Sequence, residues 1–333
     1  MFDVPVVLFL FKRKDTLVKI LERIRAVKPK KMYLLADGPR NALEKEMTDE
    51  VRSHVESLID WECEVIKKYS KTNQGVYENI GKGANWVLEQ EEKAIFLEDD
   101  NLPELTFFEY CKEVLERYEA DTRVLWICGT NYLESFEESN GASYFFTQHL
   151  LPCGWATWSK KFIKYYDGDL NLLTENSTKA VKQTYTDKRL YRQDIDVVMK
   201  TKRLLKEIPK LASWDRQMIF SLRVNGLYGV SPTKNQIRNI GADELSTHGG
   251  TSTNKTMTGR FCEIPTKSMS FPLVHPKYVL PDPVYEKTVG EVILFPRVDR
   301  FFLQLIRLLK PLFGVEKDES LMTKLRFLLK KHK

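Results

Sequence analysis

The sequence is poor in paired cysteines. Cys63, Cys111, Cys128, Cys153 and Cys262 make an odd count with no C-x-x-C spacing, which argues against a disulfide framework and against a cysteine zinc site. A reducing compartment fits best. No apolar run approaches the roughly 18 residues of a spanning helix, so the chain is not expected to thread a membrane. The opening "MFDVPVVLFLFKRKD" has no basic n-region and no small-residue cleavage site, and it is too short for a signal peptide. It reads as a first core strand. Internal repeats and low-complexity tracts are also missing. Basic excess is missing from most of the chain: of 52 basic and 46 acidic residues, ten and four lie between Arg297 and Lys333, leaving 42 of each sign elsewhere. A nucleic-acid enzyme would spread basic residues along a cleft, so no nucleic-acid partner is expected.

What is present is an ordinary globular composition, 42% hydrophobic and 29% charged over 333 residues. That supports a sizeable core and argues against wholesale disorder. The length is large for one domain, but one α/β domain with extensions accommodates it. In the first half, strand-like and helix-like segments alternate. "VPVVLFLF", "KKMYLLA", "ECEVIKKY", the run Ala94 to Leu97 and "RVLWIC" read as strands; Asp15 to Val27 and Asn41 to Ile59 read as helices. A further helix carries Val76, Ile80, Ala84, Val87 and Leu88 on one face, and another opens at Pro103. This alternation predicts a mostly parallel sheet flanked by helices. The second half is less periodic. Asn171 to Leu211 reads as helical, "SWDRQMIFSLRVNGLYGVSP" as a helix then a strand, and "NIGADELSTHGGTS" as a loop. Residues 279–296 carry Pro281, Pro283 and Pro296 and read as a connecting arm. Residues 297–333 form two amphipathic segments split near Pro311 and Gly314. Their apolar residues and basic excess suit a membrane interface; packing on the protein's own core or on a second copy is the other reading.

The chemistry concentrates in "IFLEDDNLP". Three carboxylates, Glu98, Asp99 and Asp100, follow a buried strand, where like charges repel unless something positive sits beside them. In open α/β sheets, ligands bind beyond the carboxyl ends of the strands. Asp37, the triplet and the Lys12/Arg13 pair all fall there and should converge. Hard carboxylate oxygens suit Mn²⁺ or Mg²⁺ carrying a diphosphate; the plainer alternative is a solvated acidic turn. Asp215 follows Trp214, whose ring could desolvate it into a useful base, although a helix N-cap uses the same residue type. His248 lies in a polar loop where a core role is improbable. His54, His149, His275 and His332 show no metal spacing and read as structural. Trp155 and Trp158, in "PCGWATWSKKF", suit either an aromatic wall for a sugar or core packing.

"TNQGVYENIGKGANWVLEQEEKAIFLEDD", "PCGWATWSKKF", "SWDRQ" and "NIGADELSTHGG" together resemble inverting nucleotide-sugar glycosyltransferases of the GT-A fold. The segment around the triplet is similar to the metal-binding region of the N-acetylglucosaminyltransferase I family and of bacterial family 2-like surface-polysaccharide transferases, with EDD where D-x-D is commoner. The resemblance spans roughly Val4 to Gly250. It implies a GT-A, Rossmann-like fold with a nucleotide-sugar half at 1–130 and an acceptor-binding half at 131–278. It implies Arg13 and Asp37 at the uracil end of a UDP-sugar, Glu98 and Asp99 facing sugar and ribose, and Trp214 beside the donor. Asp100 would ligate Mn²⁺ or Mg²⁺, with His248 near the diphosphate or metal, and Asp215 would be the catalytic base. Trp155 and Trp158 would meet a glycan or lipid-linked acceptor. The expected setting is cytoplasmic, peripheral on the inner face of the membrane, with a homodimer possible. Two rivals differ in kind. A sugar nucleotidyltransferase wants a glycine-rich phosphate loop after the first strand, and "FLFKRKDTL" has no glycine. A non-catalytic sugar-binding or membrane scaffold explains the tail but not the converging carboxylates.

Overall fold

A computed structural model describes residues 1–137, 141–242 and 257–313. Strand β1 (Val6–Leu10) is buried at every position, as a central strand covered on both faces must be. Its side chains alternate. Val6, Leu8 and Leu10 enter one core and Val7 and Phe9 the other, the period-two division of a pleated strand. From β1 the chain winds outward through α1 (Lys14–Val27), β2 (Lys31–Ala36), α2 (Ala42–Leu58) and β3 (Glu64–Tyr69). A π-helical turn at Tyr77–Gly81 and α3 (Lys82–Leu88) bring it back to β4 (Lys93–Glu98), on the other side of β1.

The short β5 (Asn101–Pro103) precedes α4 (Thr106–Arg117), β6 (Val124–Cys128), β7 (Tyr144–Thr147), β8 (Trp155–Trp158) and α5 (Ser159–Tyr165). Then come α6 (Glu175–Val181), α7 (Lys188–Glu207), α8 (Asp215–Val224), β9 (Tyr228–Pro232) and β10 (Ile237–Asn239). The described chain closes with α9 (Met257–Phe261), α10 (Pro283–Ile293) and α11 (Arg297–Leu309). Eight strands form one sheet in the order β3-β2-β1-β4-β8-β6-β9-β7. Only β8 and β7 run against the others, so the sheet is mostly parallel, as expected, in an α/β arrangement consistent with GT-A. The sheet runs through both expected halves. β5 and β10 pair separately as an antiparallel ribbon. No helix among the described residues is long and apolar enough to cross a membrane.

Four local expectations are corrected. Pro103 ends β5 instead of opening a helix: its segment pairs with β10, with Pro103 opposite Ile237, and α4 starts at Thr106. Val76 is exposed although Ile80, Ala84, Val87 and Leu88 are buried, because the wide π-turn between them breaks the helical phase. The stretch 171–211 is two α-helices, with Thr174 and Asp187 as separate N-caps. The arm at 279–296 is largely helix α10. Asp282 caps it by accepting from the Val284 and Tyr285 amides, Pro283 takes its first turn, and Tyr285 and Val289 bury against Phe145. The prolines there are a helix-start signal.

Candidate active site

Because β1 and β4 are parallel neighbours, the loops after them emerge at the same edge. The Phe11 amide donates to Asp99 Oδ2 at 2.9 Å, and the Thr16 hydroxyl to the Asp99 carbonyl at 2.5 Å. Arg13 hydrogen-bonds Asp100 Oδ2 and lies 3.9 Å from Asp99 Oδ1. Asp100 Oδ1 accepts from Asn101 Nδ2 at 2.7 Å. Within the described residues, Arg13 opposes the triplet. It is not enough. Burial, then the neighbouring carboxylates of Asp100, Asp99 and Asp215, holds Glu98 well above the usual carboxylate range. Burial and Asp100 push Asp99 up to about 7 despite Arg13.

Gly241 packs directly on this pair. A Cβ there would stand 2.3 Å from Asp100 Oδ2 and 2.8 Å from Arg13 Nη1, and its carbonyl accepts from Arg13 Nη2 at 3.2 Å. The segment leading toward His248 thus starts against the acidic turn. His248 itself lies outside the described residues.

Asp37, at the end of β2, accepts from the Gly38 and Gln74 amides at Oδ1 and from the Gly75 amide and Asn73 Nδ2 at Oδ2. Four donors fill the acceptor capacity of one carboxylate. This corrects the expected base contact: Asp37 is spent on clamping the loop at 72–75. Lys12 and Arg40 flank the same end, both paired to Glu44, which they hold down at about 2, Arg40 contributing first.

The opposite wall comes from α8. Asp215 is its first residue, not its N-cap, which is Trp214, so the capping alternative is corrected too. The Asp215 carboxylate lies 3.5 Å from Arg216 Nε and lines the cleft, where a helix N-terminus favours negative charge. Trp214 turns the other way. Its ring packs 5.5 Å from Trp155, which stacks 4.1 Å from Trp126 and 3.9 Å from Phe96. Trp155 is 1% exposed. Trp158 is buried with its indole N–H donating to the Leu115 carbonyl. None of these three rings offers a face to a ligand, so the acceptor wall of Trp155 and Trp158 and the donor contact of Trp214 are corrected to core packing. Glycine at 154 follows from the same crowding: its φ is +60° and a Cβ would meet Ile237 at 2.4 Å.

Arg13, Glu98, Asp99, Asp100 and Asp215 line one cleft of about 1230 Å³, larger than the ~300–1,000 Å³ usual for a single small ligand. Lys210, Asp194, Arg216, Arg223 and His149 also line it. Sequence reasoning missed these, and His149 was set aside as structural; only the helical packing gathers them. Among the described residues no group of three His, Cys, Asp or Glu forms a metal cage. The buried carboxylates still fit an ion of the Mg²⁺ or Mn²⁺ type, which takes one or two protein oxygens and completes its shell with phosphate and water.

No family model matches the chain, and no curated protein matches it. Solved structures give distant likenesses. A mannosyltransferase, PcManGT from Pyrobaculum calidifontis, solved with GDP-mannose and Mn²⁺, is 13% identical, with 67% of this chain and 68% of that one covered and a TM-score of 0.38. An apo UDP-glucose pyrophosphorylase is 10% identical, with 71% and 93% covered and a TM-score of 0.37. The glycosyltransferase GlyE of Streptococcus pneumoniae TIGR4 is 10% identical, with 91% and 64% covered and a TM-score of 0.28. What defines the molecule is its own strand order and cleft: an α/β protein whose cleft, lined by both acidic and basic residues, lies at the carboxyl edge of a mostly parallel sheet.

Proposed function

We propose that the chain is a metal-dependent, inverting glycosyltransferase that moves a sugar from a UDP-sugar to a hydroxyl of a glycan or lipid-linked glycan, in bacterial surface-polysaccharide or glycoconjugate synthesis. One observation carries this reading. The acidic turn after β4 and Asp215 at the start of α8 come from different halves of the chain and line one cleft with room for donor and acceptor. Asp100 would hold Mn²⁺ or Mg²⁺, which when bound neutralises charge on a departing diphosphate, with Glu98 and Asp99 facing the donor's sugar and ribose. Arg13 would contact the uracil end of the donor. Asp215 accepts the proton of the acceptor hydroxyl. The oxygen forms its bond to the anomeric carbon as the bond to the diphosphate breaks on the opposite face, so configuration inverts.

The tail fits the membrane-bound setting. In α11, Val298, Phe301, Phe302, Leu305 and Leu308 are exposed, Leu308 by 73%, and the basic excess lies in the same stretch of sequence. We read it as a peripheral contact on the cytoplasmic face. The test of the function is product analysis with UDP- and GDP-sugars, with and without Mn²⁺. Release of nucleoside diphosphate supports transfer. Conversion of sugar 1-phosphate and UTP to UDP-sugar would give the nucleotidyltransferase reading instead. Neither turnover nor nucleotide binding would leave a scaffold.

A further inference from the structure

Asp215 has a neighbour that the mechanism does not use. Arg216, the second residue of α8, lines the cleft, and its side chain is 24% exposed. Its Nε lies 3.5 Å from Asp215 Oδ2, and its guanidinium makes no hydrogen bond to any described residue. Tyr132, in the loop after β6, lines the same cleft. Its ring packs 4.6 Å from Phe261, and the adjacent Asn131 donates to the Pro232 carbonyl at 2.9 Å. The Tyr132 hydroxyl is thus held in place, yet it too has no hydrogen bond to a described residue. Burial keeps it well above the usual phenol range, so it stays protonated and able to donate. Neither group is sealed in. No Arg216 nitrogen and not the Tyr132 oxygen is among the fully buried atoms that lack a partner, so these donors open onto the cleft. Arg216 and Asp215 both act electrostatically on Tyr132, which places the three groups in one neighbourhood.

We infer that Arg216 and Tyr132 bind an oxyanion, a phosphate or a carboxylate, which the acceptor carries close to its reacting hydroxyl. A guanidinium presents N–H donors in a fixed fork that matches two oxygens of such a group, and a phenol O–H can reach a further lone pair. Occupancy of the cleft also argues for an anion. An acceptor lying over Arg216 displaces its water, and a neutral ligand would leave that charge unpaired at a cost. Asp215 and Asp194 oppose part of the Arg216 charge. The site therefore favours an anion that makes directed, charge-assisted hydrogen bonds over negative charge in general. Placing the anion on the acceptor rests on the glycosyltransferase reading; the anion site itself does not. In a single displacement the base works on the face opposite the departing diphosphate, so the residue beside Asp215 meets the acceptor.

The test uses the full chain kept in EDTA, so that no ion at the acidic turn can hold a phosphate. Titration calorimetry compares methyl β-glucuronide, glucose 6-phosphate and inorganic phosphate with methyl β-glucoside, the neutral counterpart. At least one anion should bind about tenfold or more tighter than methyl β-glucoside, and Arg216→Gln should remove that preference. Tyr132→Phe should weaken the same anion about a few-fold, and it serves if the first variant does not fold. Preference for glucose 6-phosphate and inorganic phosphate indicates a phosphorylated acceptor; preference for the glucuronide indicates an acidic sugar. UDP with Mn²⁺, titrated separately without EDTA, should bind both variants within about a few-fold of the wild type. If UDP fails to bind the wild type while the anion preference follows Arg216, the glycosyltransferase reading falls and the anion site stands. Three results overturn the proposal. No anion binds more tightly than methyl β-glucoside; folded Arg216→Gln keeps the preference; or Arg216→Gln weakens UDP as much as the anion, which would put Arg216 on the donor's diphosphate.

Discussion

Arg13, from the loop after β1, lies on Asp100, from the turn after β4. Both side chains are largely buried, and Gly241 closes over them. An ion at Asp100 would therefore have to share the carboxylate with a guanidinium or displace it.

Arg13→Ala should expose that competition. Removing one partner of a buried pair typically costs about 3–5 kcal/mol, so the metal-free variant should melt well below the wild type. Mn²⁺ alone should then raise its melting temperature by more than it raises that of the wild type. Equal shifts in both proteins would mean that the ion does not use Asp100.

The same edge sets a pH profile. Asp99 titrates near 7 when folded and near 4 when unfolded. The folded chain keeps a proton there that the unfolded chain releases, so metal-free stability should fall as pH rises from about 4 to 7. Glu44 acts in the opposite direction: held down at about 2, it stabilises above about 4.5 and loses that contribution as pH falls toward 2. Urea midpoints should peak between these windows. Asp99→Asn should make the upper limb shallower without abolishing it, because Glu98 is also held above the usual carboxylate range, and Glu44→Gln should flatten the lower. Mn²⁺ affinity should rise through pH 7, since the ion competes with protons.

Asp215→Asn keeps the side chain's size but cannot take a proton. It should lower kcat by roughly 10²–10⁴-fold and leave UDP affinity within about a few-fold. The product anomer, read by NMR, should be inverted relative to the donor. A retained configuration or near-normal turnover would remove Asp215 from the role of base.

Phe301→Ser with Leu308→Ser should weaken sedimentation with anionic vesicles and spare turnover on a soluble acceptor. The basic residues of the tail, each worth about 1 kcal/mol near an anionic surface, should leave a salt-sensitive remainder. If the variant instead changes oligomeric state, the α11 face joins two copies.

Much of the fold was legible because β1, β2 and β4 are uninterrupted apolar runs that only covered strands tolerate. The acidic turn was legible for the same reason: parallel neighbours must end together. Other features depended on distant segments. Asp37 could be understood only with the loop at 72–75 folded against it. Trp155 looked available until Phe96, Trp126 and Trp214 enclosed it. The helix α10 was hidden behind prolines that serve as its start. Asp194 and Arg223 lie on different helices and share no motif, so nothing linear joins them.

The position of β8 bears on how this molecule can be taken apart. Ala156 pairs with Ile95 of β4 on one side and Ile127 of β6 on the other, so a strand from late in the chain is sewn between two earlier ones. A cut near residue 130 would not free a self-contained cassette, because it would strip β4 of its neighbour and bare an unpaired, sticky border. Chimaeras that trade donor preference between such proteins should therefore swap the loops beyond the strand ends and leave the seam intact.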